Sequence, residues 1–216
     1  MDLTIHVNDV NGTILYVCET LHIRKDSVIK DDLDNEYRVV SFVNNESVEI
    51  LPLGAYTWSG KTIYCPEPTF LQGKWISANN EYLAMTKDTR QKTPLIWLVR
   101  GYEEDHLGEM HSAELKVEPM MFFLDEADFN EWLNEDHDKE AVNPMYNLAI
   151  RFVETIQNDE NFDDLDNWKI KDEPRFGVKT DKNNKNKGNS KRILSDDLSG
   201  VGLKIPLKIF NNCQYC

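Results

Sequence analysis

Six apolar residues in one short segment constrain this chain most. Met145, Leu148, Ala149, Phe152, Val153 and Ile156 fall at i, i+3, i+4, i+7, i+8 and i+11. That spacing gathers side chains on one face of a 3.6-residue helix. Asn143 before the stripe is a favoured N-cap, and Pro144 suits the first helical position, where its missing N–H would go unpaired anyway. A helix striped this way must lay its apolar face against another layer. A Met and aromatic stripe of this kind belongs to a core, not to a cofactor site. A second helix is expected just before it. Asp125, with Asp128 three residues on, reads as its start, and Phe129, Trp132 and Leu133 share one face.

The first 70 residues carry a different period. Leu3, Ile5 and Val7 alternate with polar neighbours, and Ile14 to Cys18 form a second run. Between them lies Asn11-Gly12, a preferred hairpin dipeptide because both residues tolerate positive φ. A second hairpin pairs Tyr37–Val43 with Ser47–Leu53 across Asn44-Asn45-Glu46, and Thr62–Cys65 makes a further short strand before Pro66 and Pro68 stop the ladder. About five short strands with tight turns predict a compact barrel of SH3 or OB type over residues 1–70. Tyr37, Phe42, Tyr56, Trp58 and Tyr64 could form a stacking face for single-stranded nucleic acid, but the basic groove such a face needs is absent. Barrel core and rim is the better reading of these aromatics.

Residues 66–93 read as a connector with no steady period. Pro94–Val99 then forms a buried strand, apolar on both faces. Its expected neighbour is Ala113–Val117 continuing into Met121–Leu124, with Gly101–His111 as an acidic loop between. Trp168–Val178, interrupted at Pro174, and Val201–Phe210 read as two hairpin partners. The segment Lys179–Arg192 between them is rich in Asn, Lys and Gly; a stretch of that length without its own structure is generally functional or disordered. The expected fold class is therefore α+β: a mixed or antiparallel sheet packed against two helices over 71–216, preceded by a small all-β barrel-like domain.

Charge narrows the partners. The chain carries 24 Lys plus Arg against 38 Asp plus Glu, net −14. That balance argues against a general nucleic-acid binder, which needs a basic face, and against docking on anionic lipid. No apolar run approaches the roughly 20 residues of a membrane span, and no signal peptide opens the chain, so a soluble protein is expected. The charge is also unevenly placed. Residues 101–168 carry 20 acids and 3 bases, and residues 169–192 carry 3 acids and 9 bases. An acidic block beside a basic one suits a solvated face, or a surface that meets something basic and repels something negative.

Catalytic signatures are lacking: no G-x-G-x-x-G, no P-loop, no G-x-S-x-G and no H-E-x-x-H. Asp136-His137-Asp138 has the composition of an acid–base pair, but such adjacency is expected by chance in so acidic a region. His106 and His111 lie near acids without a third ligand on a rigid element, which favours a plain exposed loop over a metal site. Cys213 and Cys216 form a terminal C-x-x-C, while Cys18 and Cys65 supply no second ligand pair, so reduced structural thiols are expected. No catalysis, cofactor or metal is expected.

Three segments together resemble a known family. Residues 94–99 (PLIWLV), 121–157 (MFFLDEADFNEWLNEDHDKEAVNPMYNLAIRFVETIQ) and 198–210 (LSGVGLKIPLKIF) look like the neck and tail-terminator, or tail-completion, proteins of tailed bacteriophages and related contractile or tubular particles. The Trp132–His137 stretch, the Asn143-Pro144-Met145 start and the Gly200-Val201 strand carry the likeness. It spans about residues 75–216 and leaves the N-terminal β-domain outside the shared pattern. The resemblance implies a virion structural protein of the neck or tail, assembled in the host cytoplasm as a homo-oligomeric ring, usually a hexamer. Such a ring joins the tail tube to the head-side connector and leaves a channel through which DNA passes without specific binding, with no membrane involved. Lys182, Lys185, Lys187, Lys191 and Arg192 would then meet the acidic block around Asp136 and Asp138 of the next protomer. The alternative, from a different class, is an acidic inhibitor or DNA mimic that occupies a nucleic-acid enzyme.

Overall fold

A computed structural model describes residues 3–85, 92–99, 104–107, 114–160, 162, 165, 167–177, 194 and 196–210. The fold is α+β: a six-stranded antiparallel β-barrel followed by a mixed five-stranded sheet with two helices.

The barrel is built from β1 (Thr4–Asn11), β2 (Ile14–Val17), β3 (Val28–Lys30), β4 (Glu36–Val43), β5 (Ser47–Pro52) and β6 (Thr62–Tyr64), closed in the order β1-β2-β5-β4-β3-β6. Both expected hairpins are present. The first turns at Gly12-Thr13, one residue later than the Asn11-Gly12 dipeptide predicts: Asn11 pairs with Ile14, and Gly12 takes the positive φ of 63°. The second turns over three residues, with Asn45 left-handed at φ 58°. Inward residues such as Ile5, Leu15, Ile29, Tyr37, Val39 and Ile63 make the barrel core, with Phe42, Tyr56 and Trp58 packed against it. The aromatic set thus divides into core and rim, leaving Tyr64 exposed.

The region read as a connector holds two elements, β7 (Thr69–Gly73) and α1 (Trp75–Ala84). β7 pairs in parallel with β8 (Leu95–Val99), the strand expected at 94–99. The neighbour on the other side of β8 is β11 (Met120–Glu126), which holds the expected Met121–Leu124 part of the pairing but not the Ala113–Val117 part. β9 (Glu104–Leu107), inside the expected acidic loop, and β10 (Glu114–Val117) form a separate three-stranded sheet in the order β14-β10-β9.

Two prolines account for that division. Pro119 separates β10 from β11, and Pro206 splits the expected 201–210 strand into β13 (Leu198–Lys204) and β14 (Leu207–Phe210). The breaks lie side by side, since Met120 pairs with Lys204 and Val117 with Leu207. One antiparallel ribbon therefore bends at both prolines, neither of which can donate to the ladder, and passes from one sheet to the other. With β12 (Lys169–Glu173) on β13, the expected hairpin partners do pair. The large sheet runs β12-β13-β11-β8-β7.

The large sheet is packed on both faces. Leu71, Leu95, Trp97, Phe122 and Leu124 point to the side covered by Ala78 and Tyr82 of α1. Ile96, Met121, Phe123, Val201 and Leu203 meet the Met145 stripe on the other. That stripe lies on α3 (Asn143–Gln157), where Met145, Leu148, Ala149, Val153 and Ile156 are buried as its spacing predicts. The helix does not start at Asn143, however. α2 (Asn134–His137) leads into a π-helical turn (Asp138–Val142) that runs straight into α3. Pro144 thus sits inside a continuous helical segment. It offers no N–H to the carbonyl four residues back and would crowd it. The π-turn accommodates this: Asn143 N–H reaches back five residues to the Asp138 carbonyl. The helix expected from Asp125 is absent; Asp125 belongs to β11, and Asp128 Oδ1 accepts the N–H groups of Asn130 and Glu131 in a turn.

Candidate functional site

The barrel and the sheet domain meet over a polar seam. Arg151 of α3 reaches Glu19 with Nη2 2.9 and 2.8 Å from the two carboxylate oxygens, and Asn147 Nδ2 donates to the Leu21 carbonyl at 3.1 Å. Arg24, between β2 and β3, enters the sheet domain more deeply. Its Nε lies 3.0 Å from Asp125 Oδ2, its Nη1 3.6 Å from Glu126, and its Nη2 donates to Thr93 Oγ1 at 2.9 Å. The Arg24–Asp125 contact is an ion pair whose N–H is not aligned for a hydrogen bond. Asp125 is fully buried at the end of β11. Burial pushes its carboxyl up to about 6 against the opposing pull of Arg24. Nearby, buried His22 donates Nε2–H to the Pro66 carbonyl at 2.8 Å while its Nδ1 has no partner. Burial, reinforced by Arg24, holds its pKa down to about 4, so it is neutral at physiological pH.

Beside this seam opens a cleft of about 1350 Å³. Its two walls differ in charge. The barrel side presents Arg24, Lys25 and Arg38 with Asp26 and Glu67. The sheet-domain side presents Glu126, Asp128, Glu131, Asp136 and Glu140 from one segment and Asp196 and Asp197 from another, with no lysine or arginine. Trp132 lies among these carboxylates. A concave wall of seven acids concentrates negative potential and attracts a basic group before contact.

The Asp136-His137-Asp138 triplet is taken apart by its helix. Asp136 lines the cleft and accepts the Leu133 N–H at 2.8 Å, so it also caps α2. Asp138 is exposed and lies outside the cleft lining. Residues two apart do not share a helix face. His137 turns inward and is fully buried between the Phe129 and Trp132 rings. Arg175 Nε–H donates to His137 Nε2 at 3.4 Å, which leaves Nδ1–H to donate to Ser199 Oγ at 2.9 Å; the same oxygen accepts the Arg175 backbone N–H at 3.0 Å. Burial, then the Arg175 charge, holds His137 below its ordinary range. This geometry makes His137 a pin joining α2, β13 and the turn after β12, closed to solvent.

The other expected site residues fall elsewhere. Lys182, Lys185, Lys187, Lys191 and Arg192 lie outside the described residues, as do His111, Cys213 and Cys216. His106 belongs to β9, not to a loop. Cys18 is exposed, Cys65 is buried, and neither is in a disulfide. Among the described residues no group of three or more His, Cys, Asp or Glu is placed to hold a metal ion. Arg24, Thr93, His22, Asp196 and Asp197 were not singled out from sequence. The roles of Arg24, Thr93 and His22 depend on the packing of two domains, and that of the adjacent Asp196 and Asp197 on the start of β13. Comparison of the chain with protein-family models, curated proteins and solved structures finds no match.

Proposed function

We propose that this chain is a virion structural protein, a ring-forming tail terminator or neck component of a tailed-phage-type particle. It joins the tail tube to the head-side connector and leaves a channel for DNA. The observation that carries this reading is the presence of two oppositely charged stretches in one chain. The sheet-domain wall of the cleft holds seven carboxylates and no base, while residues 179–192 hold six bases and one acid. A closed ring is a head-to-tail assembly and needs two different, complementary patches on every subunit. The α+β fold and the resemblance of residues 94–99, 121–157 and 198–210 to tail-terminator proteins support the same assignment. Acidic surface left facing the lumen repels DNA phosphates, so the genome slides without being held. No helix among the described residues is long and apolar enough to cross a membrane.

Native mass spectrometry and negative-stain imaging of the full chain, alone and with a tail-tube protein, test the reading. Closed rings that come apart as salt is raised are expected, because exposed charge contacts are screened. A monomer under every condition, with and without tube, overturns it. The acidic wall also supports the alternative of an inhibitor that presents carboxylates to a nucleic-acid enzyme. That reading requires capture of a nuclease or polymerase that is abolished by the substitutions Glu131→Lys and Asp136→Lys, without ring formation.

A further inference from the structure

The five-stranded sheet ends in two edges of opposite character. β12 is blunted: Lys169 and Lys171 are exposed, and Lys171 is held 2.7 Å from Glu173. Charged side chains on an edge discourage a further strand from adding. β7 (Thr69–Gly73) carries no charge, and Phe70 is 55% exposed on it. Between Pro68 and Asn80 the single charged residue is Lys74, in a chain that is 29% charged. α1, which follows β7, adds Ile76 at 78% and Leu83 at 54% exposure on one helix face.

The backbone of β7 is half used. Its pairing within the described residues is with β8 alone. Thr69 N–H donates to the Pro94 carbonyl on the β8 side at 2.7 Å. Because successive residues of a strand turn their N–H and C=O groups to opposite sides, those of Phe70 and Gln72 point to the open edge.

We propose that this edge is a self-association surface at which two copies of the chain pair β7 to β7, antiparallel, with Leu71 opposite Leu71. In that register Phe70 of each copy faces Gln72 of the other. The two outward residues on each strand then exchange all their edge hydrogen bonds, and none is left over. Charge selects a second copy as the occupant. Glu67 and Lys74 are both exposed and flank β7 at its two ends, so antiparallel pairing sets each Glu67 beside the Lys74 of the other copy. The two-fold axis sets the two α1 helices, each with Ile76 and Leu83 exposed, on the Leu71 side of the paired sheet and the two Phe70 side chains on the other. This contact is self-complementary, whereas a ring runs on two different patches, so it stands independently of the ring assignment.

Sedimentation of the full chain over a dilution series tests the proposal, alongside amide exchange by NMR. A monomer–dimer equilibrium is expected. Phe70→Lys and Leu83→Lys, both at exposed positions, should each weaken it at least ~10-fold while leaving the melting temperature in place. Val40→Lys, at a barrel position 40% exposed, should not change it. The amides of Phe70 and Gln72 should exchange more slowly as concentration rises, while that of Leu71, already directed at β8, should not change. A strictly monomeric chain, or self-association indifferent to both substitutions, overturns the proposal. Rings that form while the Phe70 and Gln72 amides remain independent of concentration also overturn it and leave the ring assignment intact.

Discussion

Substituting Asp125→Asn is expected to turn a protein with a shallow acid response into an acid-labile one. Two buried groups near the domain seam titrate in opposite senses. His22 has a folded value near 4 against its ordinary 6.5. Between those limits the unfolded chain binds a proton that the native chain refuses. Its stabilisation is complete above about pH 6.5 and drains away as pH falls toward 4. Asp125 is raised to about 6 from 3.8, so in that interval the native chain binds the proton first. The cost of its buried charge is felt fully above about pH 6 and lifts as pH falls. At about 1.36 kcal/mol per pH unit, going from about pH 7 to about pH 5 removes about 2 kcal/mol through His22 and returns about 1 kcal/mol through Asp125. Arg24, Glu126 and the Thr93 hydroxyl face Asp125, and Arg24 with the Pro66 carbonyl faces His22. His137, also held low, adds an acid loss common to every variant. The readout is therefore the contrast between variants. Asp125→Asn keeps the His22 loss and forfeits the return, whereas His22→Gln, which retains an N–H for Pro66, keeps the return alone. Urea unfolding at the two pH values should separate their acid responses by about 3 kcal/mol. Parallel pH profiles for wild type and Asp125→Asn would refute the reasoning, because they would mean that Asp125 carries no raised pKa in the folded chain.

Other substitutions probe single contacts. A Cβ at Gly200 would run into the Phe123 backbone across the β11–β13 ladder, so Gly200→Ala should cost about 3 kcal/mol or more and show as a steep fall in melting temperature. Ser199→Ala removes the oxygen shared by His137 and the Arg175 backbone; a loss of about 1–3 kcal/mol in chemical unfolding is expected, and an unchanged midpoint would show the pin to be idle. Tyr37 donates its hydroxyl to Asp31 Oδ2 at 3.0 Å. Burial alone would raise Asp31, but hydrogen bonds from Asn35, Leu33 and Tyr37 hold it below the ordinary carboxylate range. Its stabilisation is present above the unfolded value and lost as pH falls through the folded one. Tyr37→Phe should cost about 1 kcal/mol at neutral pH and move the onset of acid unfolding upward.

Elements with a strong period were readable and elements without one were not. The two barrel hairpins and the α3 stripe repeat an apolar residue often enough to define a face. β3 has three residues and α1 has ten, with Ala78 and Tyr82 as its buried members, and neither length establishes a period. The misplaced helix has a chemical cause. Asp125 and Asp128 look like capping residues in sequence, but Asp125 serves as the buried partner of Arg24, about a hundred residues earlier. Pro144 is ambiguous in the same way. As a helix start it is the cheaper assumption, and the π-turn that admits it inside a helix has no sequence signature of its own. Pro119 and Pro206 did carry the missing information, since each ends a strand, but their effect on sheet membership follows only once the two breaks are seen to lie opposite each other.

The acidic block illustrates why the candidate site was half legible. Its sign and position in the chain are plain from the count, but its membership of a wall is not. The wall itself combines Glu126 to Glu140 with Asp196 and Asp197, two stretches more than fifty residues apart. Asp138, adjacent in sequence, is excluded from it by helical geometry. Charge density along a chain measures how much repulsion a fold must accommodate, but not which carboxylates share a face. Here the answer depends on where β13 begins. Phe176 N–H bonds to the Leu198 carbonyl and Ala127 N–H to the Asp197 carbonyl, so the ladder that orders the sheet also delivers Asp196 and Asp197 to the rim beside Glu126. The basic residues 179–192 end just before that point. The two acids that β13 sets on the cleft wall, just ahead of its first residue, follow that run of bases by four positions, so opposite charges stand close together in the sequence. Charge reversal of the Asp196-Asp197 pair should therefore weaken the proposed ring more than reversal of Asp138, and equal effects on ring yield in native mass spectra would separate that assembly from this cleft.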